Sequence, residues 1–213
     1  LATFNASQVI ENKIGKSEKY DHAMKNLAKY LGLNKTDLFI EGYDVSHHAG
    51  KYAVASAVKF SNQGPEKNAY KLYNIDSIHA GNDIGSIKHV LKRRGEKASQ
   101  YPLTDIILID GGQAQLNAAL SVFKSINSLQ PIILSIVKGA KRVRATETIL
   151  SKQGIVEIPI NSSSFNLLQQ IRDESHRFAI ASNRNKKNKS VQYSDLDKIP
   201  GLGPKRKQTL LKQ

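Results

Sequence analysis

The chain has 213 residues, 39% of them hydrophobic, which is enough for one core of ordinary size and a small appendage. Lys and Arg (32) outnumber Asp and Glu (18), and the formal charge of +14 favours a polyanionic partner, first of all nucleic acid. No apolar stretch approaches the roughly 18 residues of a spanning helix, and the lack of cysteine excludes disulfides and thiolate metal sites. With no signal peptide, the sequence favours a cytoplasmic protein without a membrane partner, and its limits at Leu1 and Gln213 favour a fragment.

The first part of the chain predicts a helix followed by three strands. Apolar residues recur at helical spacing from about Ala6 to Leu31, and Gly32 is placed to end that helix. Three strand-like runs follow, separated by segments that contain glycine or proline, and together they predict a β-meander. The runs are "FIEGYDVS", "YAVASAVKF" and "AYKLYNI".

Helices and strands alternate in the rest of the chain. "DIGSIKHVLKRRG" has helical spacing, and "DIILIDGG" and "PIILSIV" are typical of strands buried on both faces, with a helix between them. "TETILSKQGIVEIPI" predicts a hairpin that turns at Gln153 and Gly154, and a long late helix follows. This order predicts an α/β fold, in which one mixed sheet has the meander on one side and crossover strands on the other.

Composition divides the chain into four predicted parts. Residues 1–36 form an N-terminal helical layer, and residues 37–183 form the α/β domain on which this layer packs. Residues 184–194 are polar and basic with almost nothing to bury, which is typical of a linker. Residues 195–213 form a second, very short unit.

Two aspartates hold special positions in the predicted strands. Asp44 lies inside the first strand, where a buried carboxylate needs a partner. Asp110 ends a buried strand and precedes two glycines, at the carboxyl edge of the sheet where ligands gather. If these strands are neighbours, the two carboxylates converge and suit Mg²⁺ or Mn²⁺. The alternative is that Asp44 is a satisfied turn residue and Asp110 a helix N-cap.

Two further residues, His176 and Asp83, each have a purely structural interpretation and a functional one. His176 lies at the border of the apolar face of the late helix, where packing or exposure is the favoured interpretation from spacing alone. If that helix crosses the sheet edge, the imidazole approaches Asp110 and completes a carboxylate metal site. Asp83 is placed to cap the helix after the meander, and it is also a candidate for an additional carboxylate.

The C-terminal "IPGLGPKRK" predicts two helices joined by a hairpin that binds phosphate. Backbone N–H groups of such a hairpin and a helix N-terminus favour an anion, and the contact grips the DNA backbone without reading bases. A plain turn between helices is the alternative. Basic runs elsewhere, "LKRRG", "KGAKRVR" and "RNKKNK", are either solvated faces or an extension of a phosphate-binding track. The candidate DNA-binding residues are Gly201, Gly203, Lys205, Arg206 and Lys207.

Four segments, in order, resemble the C-terminal half of UvrC, the excinuclease family of bacterial nucleotide excision repair. They are "EGYDVSH", "ILIDGGQAQLNAAL", "LLQQIRDESHRFAI" and "IPGLGPKRKQTLLK", and they span nearly the whole chain. The resemblance implies a ribonuclease H-like endonuclease domain at residues 37–183, joined by the linker to helix-hairpin-helix motifs. It also implies a metal-dependent 5′ incision in damaged double-stranded DNA, with DNA-bound UvrB as partner.

The same resemblance implies roles for individual residues. Asp44 of "GYDVSH", Asp110 of "LIDGG" and His176 of "DESHRF" match the family's catalytic aspartates and histidine. We expect Asp44 and Asp110 to hold the metal, with His176 either as a third ligand or as a proton-transfer group beside it. Asp83 of "GND" matches a further aspartate implicated in the same activity. The family's usual "DGGKGQL" reads "DGGQAQL" here, which removes a lysine that could contact phosphate. Only the first helix-hairpin-helix motif begins in the chain, so we expect weak DNA binding.

Two rival functions stay open. One keeps the fold but changes the substrate to RNA–DNA hybrids or branched DNA. The other is a basic scaffold that binds DNA through its hairpin and has a degenerate metal site. Cleavage without repair partners would favour the first, and a lack of metal dependence traceable to Asp44 and Asp110 would favour the second.

Overall fold

A computed structural model shows one mixed β-sheet with helices on both faces. Contacts divide the chain into two compact units, Leu1–Ala179, which contains the whole sheet, and Ile180–Gln213. The sheet unit therefore includes the predicted N-terminal layer and all but the last four residues of the predicted α/β domain. The residues that the structure describes are 2–48, 52–75, 82–124, 130–137, 147–192 and Gly203.

The first three α-helices begin and end close to the predicted positions. The first helix ends at Tyr30 because Gly32 adopts a φ of +65°, which favours glycine, as the sequence predicts. The helix after the meander is capped by Asn82, whose side chain accepts a hydrogen bond from Gly85 N at 2.9 Å, so the cap is not Asp83. The α-helices of the described residues are α1 (Ala2–Tyr30), α2 (Asp83–Glu96), α3 (Gln113–Lys124) and α4 (Ser163–Gln192), and Lys67–Ala69 form a short 3-10 helix.

The strands confirm the predicted meander and crossovers and add one short strand. The late hairpin turns at Lys152 and Gln153, one residue before the predicted position, and Gly154 begins the second strand with a φ of +115°. The strands of the described residues are β1 (Ile40–His48), β2 (Tyr52–Ser61), β3 (Gly64–Pro65), β4 (Lys71–Ile75), β5 (Ile106–Asp110), β6 (Ile132–Val137), β7 (Thr148–Ser151) and β8 (Gly154–Val156).

Strand β1 lies in the middle of the sheet, with the other meander strands on one side and the crossover strands on the other. The order is β3-β2-β1-β5-β6-β7-β8, and β4 pairs with β2. β1 is antiparallel to β2 and parallel to β5. The meander and the first crossover strand therefore meet at β1. The strands that carry Asp44 and Asp110 are thus neighbours, which is the condition under which we expected the two carboxylates to converge.

Each face of the sheet has its own core. On one face Ile40, Phe60 and Leu108 pack with residues of α1 and α4, such as Leu27 and Leu168. On the other face, residues of the same strands at alternate positions pack with α2 and α3. This second core includes Tyr43, Ile109, Val90 and Leu116. The strands are thus buried on both faces, which is why their apolar runs are nearly continuous.

The segment predicted to be a linker is helical for most of its length. α4 continues to Gln192, so residues 184–192 extend the helix, whereas 193 and 194 lie outside the described residues. Residues 184–194 are rich in polar and basic side chains and contain no Gly or Pro; the first such residue after them is Pro200. Without a helix breaker, a polar and basic stretch need not leave the helix that precedes it.

Candidate active site

Asp44 lies inside the β1 ladder on the face covered by α4. Its Cα partner on β2 is Ser56, and its alternation with Ile40 and Gly42 places it on the core face that α1 and α4 share. The residue is only 6% exposed. Asp44 is therefore a strand carboxylate held near a helix, and the turn interpretation is wrong.

Asp110 lies beside Asp44 at the end of the neighbouring parallel strand. The β1–β5 register pairs Tyr43 with Ile109, so the next residue on each strand is one of the two aspartates. Parallel strands stand about 4.8 Å apart, and residues at the same level face the same side. Asp110 is half-buried and lies three residues before the start of α3, so it is not the N-cap of that helix.

His176 on α4 completes this group of residues. Its Nδ1 lies 3.3 Å from Oδ2 of Asp44, across 132 positions of sequence. The imidazole is still 54% exposed, so one part of the ring contacts the carboxylate while another part faces solvent. The sequence alone favoured simple packing or exposure for this histidine. The structure instead brings it to the sheet edge that carries Asp44 and Asp110.

Two contacts of α4 with the sheet place the histidine there. One turn before His176, Ile171 lies against Gly42, and a Cβ built on that glycine would stand 2.4 Å from Ile171 Cγ2. Next to the histidine, the carbonyl of Ser175 accepts a hydrogen bond of 2.8 Å from Ser56 Oγ. A glycine inside a strand is a known sign of close backbone approach, so Gly42 could have been identified from the sequence. Nothing in the sequence identifies Ser56.

The charged side chains around His176 are paired. Arg172, four residues earlier, binds Glu147 and Asp173, and these two carboxylates raise the pKa of its guanidinium although burial opposes them. Arg177 donates two hydrogen bonds of 2.7 Å to Glu174, and this lowers the pKa of that carboxyl. Because protein carboxylates bind these two guanidinium groups, neither places an uncompensated positive charge beside the imidazole.

Asp83 is carried by a different helix from His176. It is the exposed first residue of α2, and α2 packs on the opposite face of the sheet from α4. The structure thus brings His176 into contact with Asp44, places Asp110 at the same level of the next strand, and carries Asp83 on a helix that packs on the other face of the sheet.

The donor set fits a hard divalent cation in its chemistry. Asp44 and Asp110 offer carboxylate oxygens, the ligands that Mg²⁺ and Mn²⁺ prefer, and His176 adds an imidazole. In the part of the chain that the structure describes, no three His, Asp or Glu side chains are grouped closely enough to hold a metal ion. Asp44 and Asp110 therefore stay predicted metal ligands, and His176 stays predicted either as a further ligand or as a proton-transfer group beside them.

Part of the predicted phosphate-binding track is not available to DNA. Arg94 of "LKRRG" is 4% exposed, and its guanidinium donates to Glu41 at 3.0 Å and to the carbonyls of Tyr101 and Pro102 at 2.8 Å. The arginine is buried because Glu41 on β1 faces α2 and requires a counter-charge. The prediction that this basic run is a solvated or phosphate-binding face is wrong at this residue.

The predicted hairpin falls almost entirely outside the described residues. Gly203 is described and exposed, and a side chain there would meet open space. The basic run at 138–144 also lies outside the described residues. The other candidate DNA-binding residues outside them are Gly201, Lys205, Arg206 and Lys207.

A membrane-spanning segment is not found among the helices that the structure describes, since none of them is both long and apolar enough.

Comparison with known proteins identifies the family. Residues 28–180 match the UvrC RNAse H endonuclease domain. The chain is 36% identical to the UvrABC system protein C of Pseudomonas syringae and 38% identical to that of Yersinia enterocolitica, in each case over its full length and 36% of the relative. It therefore spans about a third of the length of these curated relatives.

Solved structures overlap with the chain only partially. The catalytic domain of human endonuclease V is 14% identical with a TM-score of 0.42, covering 72% of this chain and 84% of its own. The endonuclease V of Bacillus subtilis is 10% identical with a TM-score of 0.39, covering 73% and 85%. The assignment rests on the sequence match, which confirms the expected ribonuclease H-like fold. The chain belongs to the UvrC family, and its sheet unit carries that family's endonuclease domain.

Proposed function

We propose that this chain is the nuclease part of an excinuclease that cuts damaged double-stranded DNA in nucleotide excision repair. The observation that carries the proposal is the contact of 3.3 Å between His176 and Asp44, with Asp110 at the same level of the next strand. Membership of the UvrC family supports it, and so do the relatives, which bear the name UvrABC system protein C. The reaction is hydrolysis of a DNA phosphodiester bond, and we place it in the cytoplasm.

The proposed site has two carboxylates for Mg²⁺ or Mn²⁺ and one imidazole for proton transfer. When bound at Asp44 and Asp110, the cation supplies activation of water and neutralisation of charge on the phosphate. Asp44 Oδ2 also accepts from Nδ1 of His176 when that nitrogen carries the proton. Nε2 is then the nitrogen left to accept or release a proton on the exposed side of the ring.

The protein surface supports binding of DNA by its backbone. The formal charge of +14 attracts a polyanion over a long range, and counterion release adds to the affinity without any choice of sequence. We assign the closer phosphate contacts to the C-terminal hairpin, where backbone N–H groups and three basic side chains follow one another. The residues of this proposed contact are Gly201, Gly203, Lys205, Arg206 and Lys207.

Within excision repair we assign this domain the incision on the 5′ side of the lesion. Backbone contacts alone give no means of finding a damaged base, so the choice of position has to come from a partner. We propose DNA-bound UvrB as that partner, in line with the UvrABC name of the relatives. Asp83 is left as a secondary candidate, because α2 holds it on the opposite face of the sheet from His176.

The proposal is tested in the full-length protein, with its repair partners and DNA that carries one lesion and a label on either end of the damaged strand. Asp44→Asn and Asp110→Asn should abolish the 5′ cut and leave the 3′ cut in place. Asp37→Asn is the matched control, since Asp37 is an exposed residue of the loop before β1. Normal 5′ incision by either active-site variant would refute the assignment.

The same protein separates the rival functions. Cleavage of RNA–DNA hybrids or branched DNA without repair partners, lost in Asp44→Asn, would make this domain a nuclease with another substrate. DNA binding without any metal-dependent cut would make it a scaffold.

A further inference from the structure

A buried serine on β2 connects the sheet to the helix that carries His176. We propose that Ser56 is a positioning residue of the active site, whose hydroxyl orients α4 so that the imidazole meets Asp44. The inference rests on the function proposed above and adds a residue that takes no part in the chemistry itself.

Ser56 lies directly beside the candidate catalytic aspartate. Its Cα partner in the antiparallel β1–β2 ladder is Asp44, so both side chains face the helix layer. Ser56 is completely buried, with 0% of its surface exposed, and Asp44 is nearly so. A hydroxyl in such a place needs a hydrogen-bond partner, and the choice of that partner determines what the serine does.

The partner is the backbone of α4 immediately before the histidine. Ser56 Oγ donates to the carbonyl of Ser175 at 2.8 Å, and His176 Nδ1 lies 3.3 Å from Asp44 Oδ2. Two neighbouring residues of one helix thus contact two paired residues of the sheet. Each helical residue is rotated by about 100° from the one before it, so fixing the Ser175 carbonyl also fixes the direction of the next side chain.

Directional hydrogen bonds add to the packing of α4, and the one from Ser56 ends at the residue next to His176. Ile171 rests against Gly42 one turn earlier, and this contact controls how closely the helix approaches β1. A van der Waals contact between apolar groups is non-directional, whereas a hydrogen bond depends on angle. Gly42 therefore limits how closely the helix approaches the sheet, and the bond from Ser56 restrains the rotation of the helix about its axis at the residue next to His176.

Removing the hydroxyl should affect catalysis more than folding. In Ser56→Ala the Ser175 carbonyl keeps the helical hydrogen bond from the amide four residues later, so this carbonyl retains a donor. The change in side-chain volume is one oxygen atom. A small rotation of His176 is enough to slow a reaction that depends on alignment, and we expect the single-turnover rate of the 5′ cut to fall about tenfold.

The chain contains a matched control for this substitution. Ser164 is also completely buried on α4, and its hydroxyl donates to the carbonyl of Ala23 on α1 at 2.9 Å. Ser164→Ala thus removes the same type of bond, from a buried serine to a helix carbonyl, three turns away from His176. If Ser56→Ala and Ser164→Ala lose the same stability but only Ser56→Ala loses incision rate, the effect on rate comes from the position of Ser56 and not from the loss of a buried hydrogen bond.

The experiment measures single-turnover 5′ incision and DNA affinity for Ser56→Ala, Ser164→Ala, His176→Ala and the double variant Ser56→Ala/His176→Ala in the full-length protein. We expect the rate to fall in Ser56→Ala with unchanged DNA affinity. The second substitution should have no further effect once His176 is gone, because Ser56 acts through that ring. Additive losses, or equal rates in the Ser56 and Ser164 variants, would overturn the proposal.

A spectroscopic readout separates this proposal from the function on which it rests. At fixed pH, the ¹⁵N shifts of the His176 ring in the 213-residue chain should respond to Asp44→Asn, because the ring contacts that carboxylate. In the Ser56→Ala background the response should be much smaller. An undiminished response would overturn the positioning role even if the protein cuts DNA. A diminished response would support it even if the natural substrate differs from the one proposed.

Discussion

Gly42 on β1 and Ile171 on α4 lie so close together that strand and helix are in contact at Gly42, which has no side chain. A methyl group on Gly42 would stand 2.4 Å from Ile171 Cγ2 and 3.2 Å from Val58 Cγ2. Real Cβ atoms do not approach another carbon so closely, so any larger residue has to push α4 away from the sheet.

We therefore expect Gly42→Ala to lower the free energy of unfolding by about 1–3 kcal/mol, the usual effect of overpacking a core. Because α4 carries His176, 5′ incision should fall further than the loss of folded protein explains. Urea denaturation and single-turnover incision measure the two effects. Gly15→Ala is the control: Gly15 lies in α1 with nothing near its Cβ, so this substitution should stabilise the helix by about 0.5–1 kcal/mol. An equally tolerated alanine at both positions would contradict the contact.

The ion pair between Arg94 and Glu41 should be costly to break on one side. Arg94→Met leaves the Glu41 carboxylate buried without its counter-charge, and we expect a loss of about 3–5 kcal/mol in unfolding free energy. Adding Glu41→Gln to that variant should recover part of the loss, because the buried charge disappears. The remainder reflects the carbonyls of Tyr101 and Pro102, which lose their donor.

Urea denaturation of Arg94→Met, Glu41→Gln and the double variant measures this coupling. Lys25→Met is the control for an exposed pair, since Lys25 binds Asp21 at 2.7 Å on the surface of α1, and it should leave the unfolding free energy nearly unchanged. A double variant less stable than Arg94→Met alone would show that the charges are not what holds α2 to the sheet.

Stability should fall in alkaline solution because of Tyr43. Burial, with the adjacent Glu41 carboxylate, raises the pKa of this phenol well above its ordinary value of 10.0. Above pH 10 the unfolded chain releases the proton and the folded protein keeps it, so the stabilisation present at lower pH is lost as pH rises. Tyr43→Phe should therefore weaken the dependence of unfolding free energy on pH in this range. If the unfolding free energy falls equally steeply with pH in Tyr43→Phe and in the unsubstituted protein, Tyr43 is not the cause of the alkaline loss of stability.

A divalent cation should stabilise the fold through the two aspartates. Binding to the native state alone raises the unfolding free energy by about 2.7 kcal/mol when the ion is present at about 100 times its Kd. We expect Mn²⁺ to raise the Tm and a chelator to reverse the shift. Asp44→Asn and Asp110→Asn should remove the shift, and Asp37→Asn should retain it. A shift that persists in both active-site variants would place the ion elsewhere.

Much of this fold could be predicted from local patterns in the sequence. The alternation in β1 correctly placed Asp44 on the face of Ile40, and the run before Gly111 correctly placed Asp110 at a strand end. What the patterns left open was the pairing of β1 with β5, since the sequence between the two strands does not determine which strands become neighbours. The family resemblance, rather than periodicity, supported the role of His176.

The remaining differences have physical causes that local reasoning does not include. Asn82 and Asp83 are both good N-caps, and only the backbone decides which one accepts from Gly85. Arg94 belongs to a basic run but is buried, because its counter-charge comes from Glu41, 53 positions away. The bond from Ser56 to Ser175 spans 119 positions between two residues with no distinctive sequence context. Side chains that act through long-range contacts leave no periodic signal.

The distance in sequence between Asp44 and His176 also affects when the nuclease becomes competent. During synthesis, 132 residues separate the emergence of the carboxylate from that of the imidazole, and at about 5–20 residues per second this is a delay of several seconds or more. The strands of the sheet can pair during this interval, but the pair of side chains forms only when α4, the last helix of the sheet unit, docks. A nascent or truncated chain that lacks α4 therefore has no imidazole beside Asp44, and under the proposed function it should not cut until α4 has docked.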